Sequence, residues 1–261
     1  MLFKSLFSVA ALAATALGQD AELAPRQDAD VINWGIMAFP GVDLLDVYGP
    51  IELLYFVAGN THINVKIITP TGNSVPITPP MGNRFNSTYR PEIVGAATFD
   101  DDLDLDVLIV PGGAAARDPN TAYVDEYLKK TAPKVKHFVS ICTGALFAAR
   151  AGLFEGKRAT TNKGAWQLVT AHGDNVTWVA PARWVRDGNT WSSSGVSAGI
   201  DLTFAMIKEF YGKDLHDRIT VFTEILPRAH DDDPFTDIVG VPHQGHLNGT
   251  EPVKCKRGEN E

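Results

Sequence analysis

The chain has 261 residues, 44% of them hydrophobic and 21% charged, with a formal net charge of −8 at pH 7. That length suits one α/β domain or two small ones, and no Gly/Ser-rich linker, charge block or internal repeat divides it, so one domain is expected. Acidity without a basic cluster argues against nucleic acid or an anionic membrane as partner, and two cysteines, Cys142 and Cys255, are too few for a disulfide-built secreted fold.

Residues 1–18 carry Lys4, an apolar run from Leu6 to Leu17 and small residues around Ala16 and Gly18. This reads as a secretory signal peptide, too short to span a membrane, and its removal would make the chain more acidic by one charge. Residues 19–32 read as a disordered lead-in. Three glycosylation sequons, at Asn86, Asn175 and Asn248, agree with export and mark surface positions.

The folded domain is expected over residues 33–226. Asn33 to Phe39 reads as a buried strand stopped by Pro40-Gly41, and a helix follows with Pro50 in its first turn. Ile63 to Thr69 is a second strand, and the Pro-rich residues 70–80 and polar 85–90 an irregular hairpin or loop. The acidic run Asp100 to Asp106 lacks the Gly turn and closing Glu of a calcium loop and reads as a solvated approach to a strand. Val107 to Val110 is that strand, ended by Pro111-Gly112-Gly113-Ala114. Adjacent glycines there either turn backbone N–H groups outward above the sheet or make a plain tight turn.

Tyr123 to Thr131 reads as a helix. His137 to Ile141 then forms a strand and Gly144 to Arg150 a helix, with no room for a loop between them. Cys142 therefore sits on a sharp strand-to-helix turn. This is the logic of a nucleophile elbow with sulfur in place of oxygen, and a helix N-terminus is expected to favour the thiolate. The alternative is that Cys142 is a small buried hydrophobe. A Cys142–Cys255 bridge would silence the elbow; since Cys255 lies in a charged tail, both thiols are read as free.

Arg158 to Thr161 reads as a short strand and Gly164 to His172 as a helix. Residues 182–186 and 190–193 flank Asp187-Gly188-Asn189 as a hairpin. A helix capped by Ser197 runs through Tyr211, Leu215 to Leu226 forms another, and residues 227–261 read as an irregular tail. His172 is assigned to a helix end, His230 to a polar turn, and Ser192 to Ser194 to a strand end, none of them to the site. Strands alternating with helices indicate a mostly parallel central sheet with helices on both faces. Ligands in such sheets bind at the carboxyl ends of strands. Cys142, Gly112-Gly113 and the loop holding Asp46 each follow a strand and share one mouth.

Five ordered motifs carry a resemblance: Gly41 to Pro50, Pro111-Gly112-Gly113, Ile141-Cys142-Thr143-Gly144, Ala151 to Thr161, and Trp184 to Asn189 continued by Ser194 to Asp201. Together they resemble the DJ-1/PfpI (ThiJ) superfamily, class I glutamine-amidotransferase-like, and within it the isonitrile hydratase branch and related sensor domains of AraC-type regulators. The resemblance covers about Trp34 to Phe235 and implies a flavodoxin-like sandwich, a homodimer, no cofactor or metal, and a small-molecule substrate. It also implies Cys142 as nucleophile and Asp46 as its acidic partner, Thr143 with the Gly112-Gly113-Ala114 backbone stabilising developing charge, and Val196 lining the pocket. There are two departures. Hydratases of that branch have His after the Thr-Thr pair, where this chain has Asn162 and Lys163. Thr143 follows the nucleophile where protease and deglycase-like members have His.

A Cys–carboxyl pair suits addition of sulfur to an electrophilic carbon, with Asp46, protonated at rest, delivering the proton. The alternative for Asp46 is a helix N-terminal carboxylate that stabilises the dipole. Three functions are open: a secreted hydratase of isonitriles, a non-catalytic small-molecule-binding or redox-sensing module, and glyoxalase-like hydration of an α-oxoaldehyde, which would want a histidine beside the cysteine.

Overall fold

β-Branched runs bounded by Pro, Gly or acidic residues form the strands of the computed structural model, which describes residues 31–77 and 83–247. The strands are β1 (Ile32–Met37), β2 (Ile63–Thr69), β3 (Val75–Pro76), β4 (Glu92–Ile93), β5 (Ala97–Thr98), β6 (Val107–Val110), β7 (His137–Ser140), β8 (Arg158–Ala159), β9 (Thr177–Trp178), β10 (Trp184–Asp187) and β11 (Thr190–Ser193). The helices are α1 (Leu44–Ala58), α2 (Ala122–Thr131), α3 (Gly144–Arg150), α4 (Trp166–Thr170), α5 (Val196–Tyr211), α6 (Lys213–Thr223) and α7 (Phe235–Val239). Seven strands make one sheet in the order β10-β11-β7-β6-β1-β2-β5, parallel except for the β10–β11 hairpin.

Every residue of β6 is buried, as expected of a central strand covered on both faces by helices. Helix α1 packs against α5 and α6, and α3 against α2 and α4. From β1 the chain crosses through α1 to β2, and from β6 it crosses the other way through α2 to β7. Strand order therefore reverses between β1 and β6, and a crevice opens at their carboxyl ends. The loop after β1, the Gly112-Gly113 turn after β6 and the elbow after β7 all face it.

Two local expectations are corrected, on the starts of two helices, and three are sharpened. Helix α1 starts at Leu44, with the Asp43 carboxylate accepting the Leu45 N–H at 3.1 Å; this side-chain cap begins the helix well before Pro50, which lies inside it. Helix α5 is capped by Gly195, and Ser197 sits within it, accepting a hydrogen bond from Arg183 Nη2 at 2.9 Å. Strand β8 leaves the main sheet and pairs with β9. The segment read as a hairpin or loop contains the antiparallel pair β3–β4.

Finally, residues 227–247 are mostly without regular structure, as expected, but they are anchored to the domain. They carry α7, and Gln244 exchanges backbone hydrogen bonds with Ala180 at 2.7 and 2.9 Å. Within the acidic run, Asp101 accepts the Thr98 N–H and Asp106 the Asn33 N–H, while Asp106 also pairs with Lys136. Asn86 and Asn175 are exposed. The signal-peptide segment, Asn248 and Cys255 lie outside the described residues.

Candidate active site

Three residues separate β7 from α3, and they turn the chain by placing Cys142 at φ 58°, a left-handed conformation that side chains other than glycine rarely adopt. The turn is held from three sides: Cys142 N–H donates to Ser193 O at 3.2 Å, Thr161 Oγ1 donates to Cys142 O at 2.9 Å, and Gly144 N–H closes on Ile141 O at 2.9 Å. Cys142 is a free thiol, 5% exposed.

Asp46 comes from the first turn of α1 and is fully buried. Its Oδ2 accepts the Gly112 N–H at 2.9 Å, while Oδ1 has no hydrogen-bond partner of regular geometry. Burial, then the charge of Asp43, pushes the carboxyl up to about 7, against the pull of the Gly112 amide and the neighbouring Cys142 thiol. Burial is also the main influence on Cys142 and, with the Asp46 charge behind it, drives the thiol well above its ordinary range. The Asn162 side chain and the Thr143 N–H favour the thiolate without overcoming that effect. The expectation that a helix N-terminus would ionise Cys142 is therefore corrected: α3 has only seven residues, and desolvation prevails. Burial thus holds the thiol protonated and brings the Asp46 carboxyl into the range where it exchanges protons near neutral pH. The raised carboxyl agrees in direction with the expected protonated Asp46, whereas the expected thiolate beside it is not favoured.

Gly112 and Gly113 let two loops meet. A Cβ on Gly112 would overlap the Thr143 amide, and one on Gly113, whose φ is 131°, would overlap the Gly41 carbonyl. The amides of both glycines are already engaged: Gly112 N–H by Asp46, and Gly113 N–H by Thr143 Oγ1 at 2.8 Å, with that hydroxyl 3.2 Å from Gly113 O. Above them a cleft of about 510 Å³ is lined by Cys142, Thr143, Gly113, Ala114, Asn162 and Arg117, among others. Val196 instead lines an adjoining cavity of about 220 Å³, which shares Asn162 and Gly164 with the first. Among the described residues, no histidine lines either space.

Asn162 is the site residue that sequence reasoning missed. It appeared only as a departure from the hydratase pattern, yet its Nδ2 donates to Cys142 Sγ at 3.3 Å. The departure was itself the available signal, since a change beside the Thr-Thr pair falls next to the elbow. The neighbouring Lys163 points away into a buried polar cluster.

A family model described as the DJ-1/PfpI family matches residues 35–209. The chain belongs to the DJ-1/PfpI family. It is 32% identical over 197 residues to an isonitrile hydratase of Pseudomonas putida, covering 74% of this chain and 78% of that protein. Among solved structures it is similar to a ThiJ/PfpI family protein of Pseudomonas syringae, with a TM-score of 0.62, 25% identity and 82% of each chain covered. Drosophila melanogaster DJ-1beta shares the fold, with a TM-score of 0.60 at 16% identity over 75% of this chain and 99% of that one. These matches agree with the flavodoxin-like α/β architecture, and the hydratase relative is an enzyme.

Proposed function

We propose that the protein is a cysteine-dependent hydratase that adds water to a small electrophile of the isonitrile type, giving an N-substituted formamide. The supporting observation is a single buried pair: the Cys142 thiol on its elbow, facing an Asp46 carboxyl whose pKa lies at about 7, beneath an open cleft. The ionised carboxylate of Asp46 takes the thiol proton as sulfur adds to the terminal carbon of R–N≡C, and returns it to that carbon. The product of this α-addition is the thioimidate R–N=CH–S–Cys142. Water adds across its C=N bond to give R–NH–CH(OH)–S–Cys142. Collapse to the carbonyl breaks the C–S bond, the hydroxyl proton passes through Asp46 to sulfur, and R–NH–CHO leaves.

The donors aimed at sulfur, Asn162 Nδ2 and the Thr143 N–H, stabilise it as thiolate during attack and departure. Because the amides of Gly112 and Gly113 are occupied, those residues and the Thr143 hydroxyl act here by holding the loops together. Gly113, Ala114, Gly164 and Ala165 leave space for the substituent R. Hydration of an α-oxoaldehyde is less well supported, since Thr143 and Asn162 stand where a histidine would serve.

The test is to incubate the protein separately with cyclohexyl isocyanide and with methylglyoxal, and to assay for N-cyclohexylformamide and lactate. Formamide that disappears in a folded Cys142→Ala variant is expected. Lactate alone, or turnover retained by that variant, overturns the reading. Export, N-glycosylation at Asn86 and Asn175, and homodimer formation are part of the same proposal, checked by glycosidase-sensitive mass and by light scattering.

A further inference from the structure

The residue after Asn162 is a lysine that the chemistry above does not use. Lys163 is buried, and its Nζ donates to Thr160 Oγ1 at 3.1 Å, Ala182 O at 2.9 Å and Ser194 Oγ at 3.0 Å, and pairs with Asp233 Oδ2 at 3.1 Å. Asp233 arrives from the segment after α6. Its carboxylate also accepts the Ala182 N–H at 3.1 Å, the Phe235 N–H at 3.1 Å and the Thr236 hydroxyl at 2.8 Å. Lys163 therefore joins three stretches: the turn bearing Asn162, the ends of the β10–β11 hairpin, and the C-terminal segment. Its ring neighbour is Trp166, with Nζ 5.3 Å from the centroid, and the other nearby cation, Arg183, is held by Asp201 at 2.6 Å.

Asn162 has little else to hold it. Among the described residues its side chain donates to Cys142 Sγ and its carbonyl accepts from Ala165 alone, and it precedes a single 3₁₀ turn. A buried ammonium without its carboxylate would leave the cluster or recruit other acceptors, and the backbone of residues 160–164 would follow it.

We propose that Lys163 and Asp233 are positioning residues: docking of the C-terminal segment through their ion pair holds Asn162 Nδ2 on Cys142 Sγ and so sets the reactivity of the thiol. The consequence for turnover rests on the proposed role of Cys142 as nucleophile; the consequence for the thiol itself does not. Burial lowers the Lys163 amine to about 8 against the pull of Asp233, so the clamp weakens in alkali. Asp233 and Arg183 are the charged groups that act on Lys163.

Alkylation of Cys142 by iodoacetamide tests this on the folded full chain, read by peptide mass spectrometry so that Cys255 is counted separately. Lys163→Met and Asp233→Asn are each expected to slow alkylation at pH 7.5 about five- to tenfold, to the rate of Asn162→Leu, because a thiol that loses its donor ionises less. Adding Lys163→Met to Asn162→Leu is expected to slow it no further. A merely structural role would loosen the site and quicken alkylation. A rate unchanged or raised in Asp233→Asn, which keeps the size of the side chain, overturns the proposal whether or not Lys163→Met folds. On an isonitrile the same variants are expected to lower kcat while KM moves less than twofold. If no isonitrile is turned over, the alkylation result still decides the positioning role.

Discussion

Two carboxylates are buried equally deeply in this molecule and are treated in opposite ways. Asp233 accepts hydrogen bonds from two backbone amides and a hydroxyl and is paired with an ammonium. Asp46 has one amide on Oδ2, a thiol nearby, and an Oδ1 without a regular partner. Asp233 is thereby made into structural cement. Asp46 is left short of compensation, and its proton affinity rises until it exchanges protons near neutral pH. In the proposed mechanism, reactivity comes from withholding partners from a buried acid.

The contrast can be broken most forcefully at the satisfied end. Asp233→Ala strands the Lys163 ammonium and is expected to cost about 3–5 kcal/mol of stability, as uncompensated buried charges do, measured by denaturant unfolding. Asp46→Asn is expected to act in the opposite sense, stabilising the fold while abolishing turnover. The folded carboxyl binds its proton more tightly than the unfolded one, so its favourable contribution is complete below about pH 4 and is lost as pH rises through about 7. The variant does not titrate, so its advantage grows across that window to an upper bound of about 4 kcal/mol, each tenfold gain in proton affinity being worth roughly 1.4 kcal/mol. Melting temperatures at pH 4 and pH 8 check the sign.

Smaller effects sharpen the picture. Because the proposed mechanism has ionised Asp46 accept the thiol proton, kcat/KM is expected to fall up to tenfold for each step of one in pH below about 7. A flat profile across that range would remove Asp46 from proton transfer. Thr143→Val breaks the hydroxyl's contact with Gly113 and leaves that amide unpaired, for a loss of about 1–3 kcal/mol. Thermal melting measures it.

Much of the architecture was legible because the central strands are short β-branched runs closed by Pro or Gly, as at Val107 to Val110 before Pro111. The Asp187-Gly188-Asn189 turn announced its hairpin in the same way. The elbow was legible too, since a strand and a helix abut around Cys142. What was not legible depends on distant partners. The C-terminal segment looks irregular by composition, and only the fold shows that its Asp233 answers Lys163. The state of the thiol was misjudged because the helix end was visible in the sequence while desolvation was not. At α1, attention to Pro50 hid the cap supplied by Asp43.

The clamp between Lys163 and Asp233 also has a consequence in time. A ribosome makes the elbow, Asn162 and Lys163 well before it reaches Asp233, so a growing chain carries its cysteine with the supporting donor not yet fixed. Under the proposed clamp, the donor to sulfur is fixed in place only once that acid has emerged and docked, so the surroundings of Cys142 are the last part of the cleft to be completed.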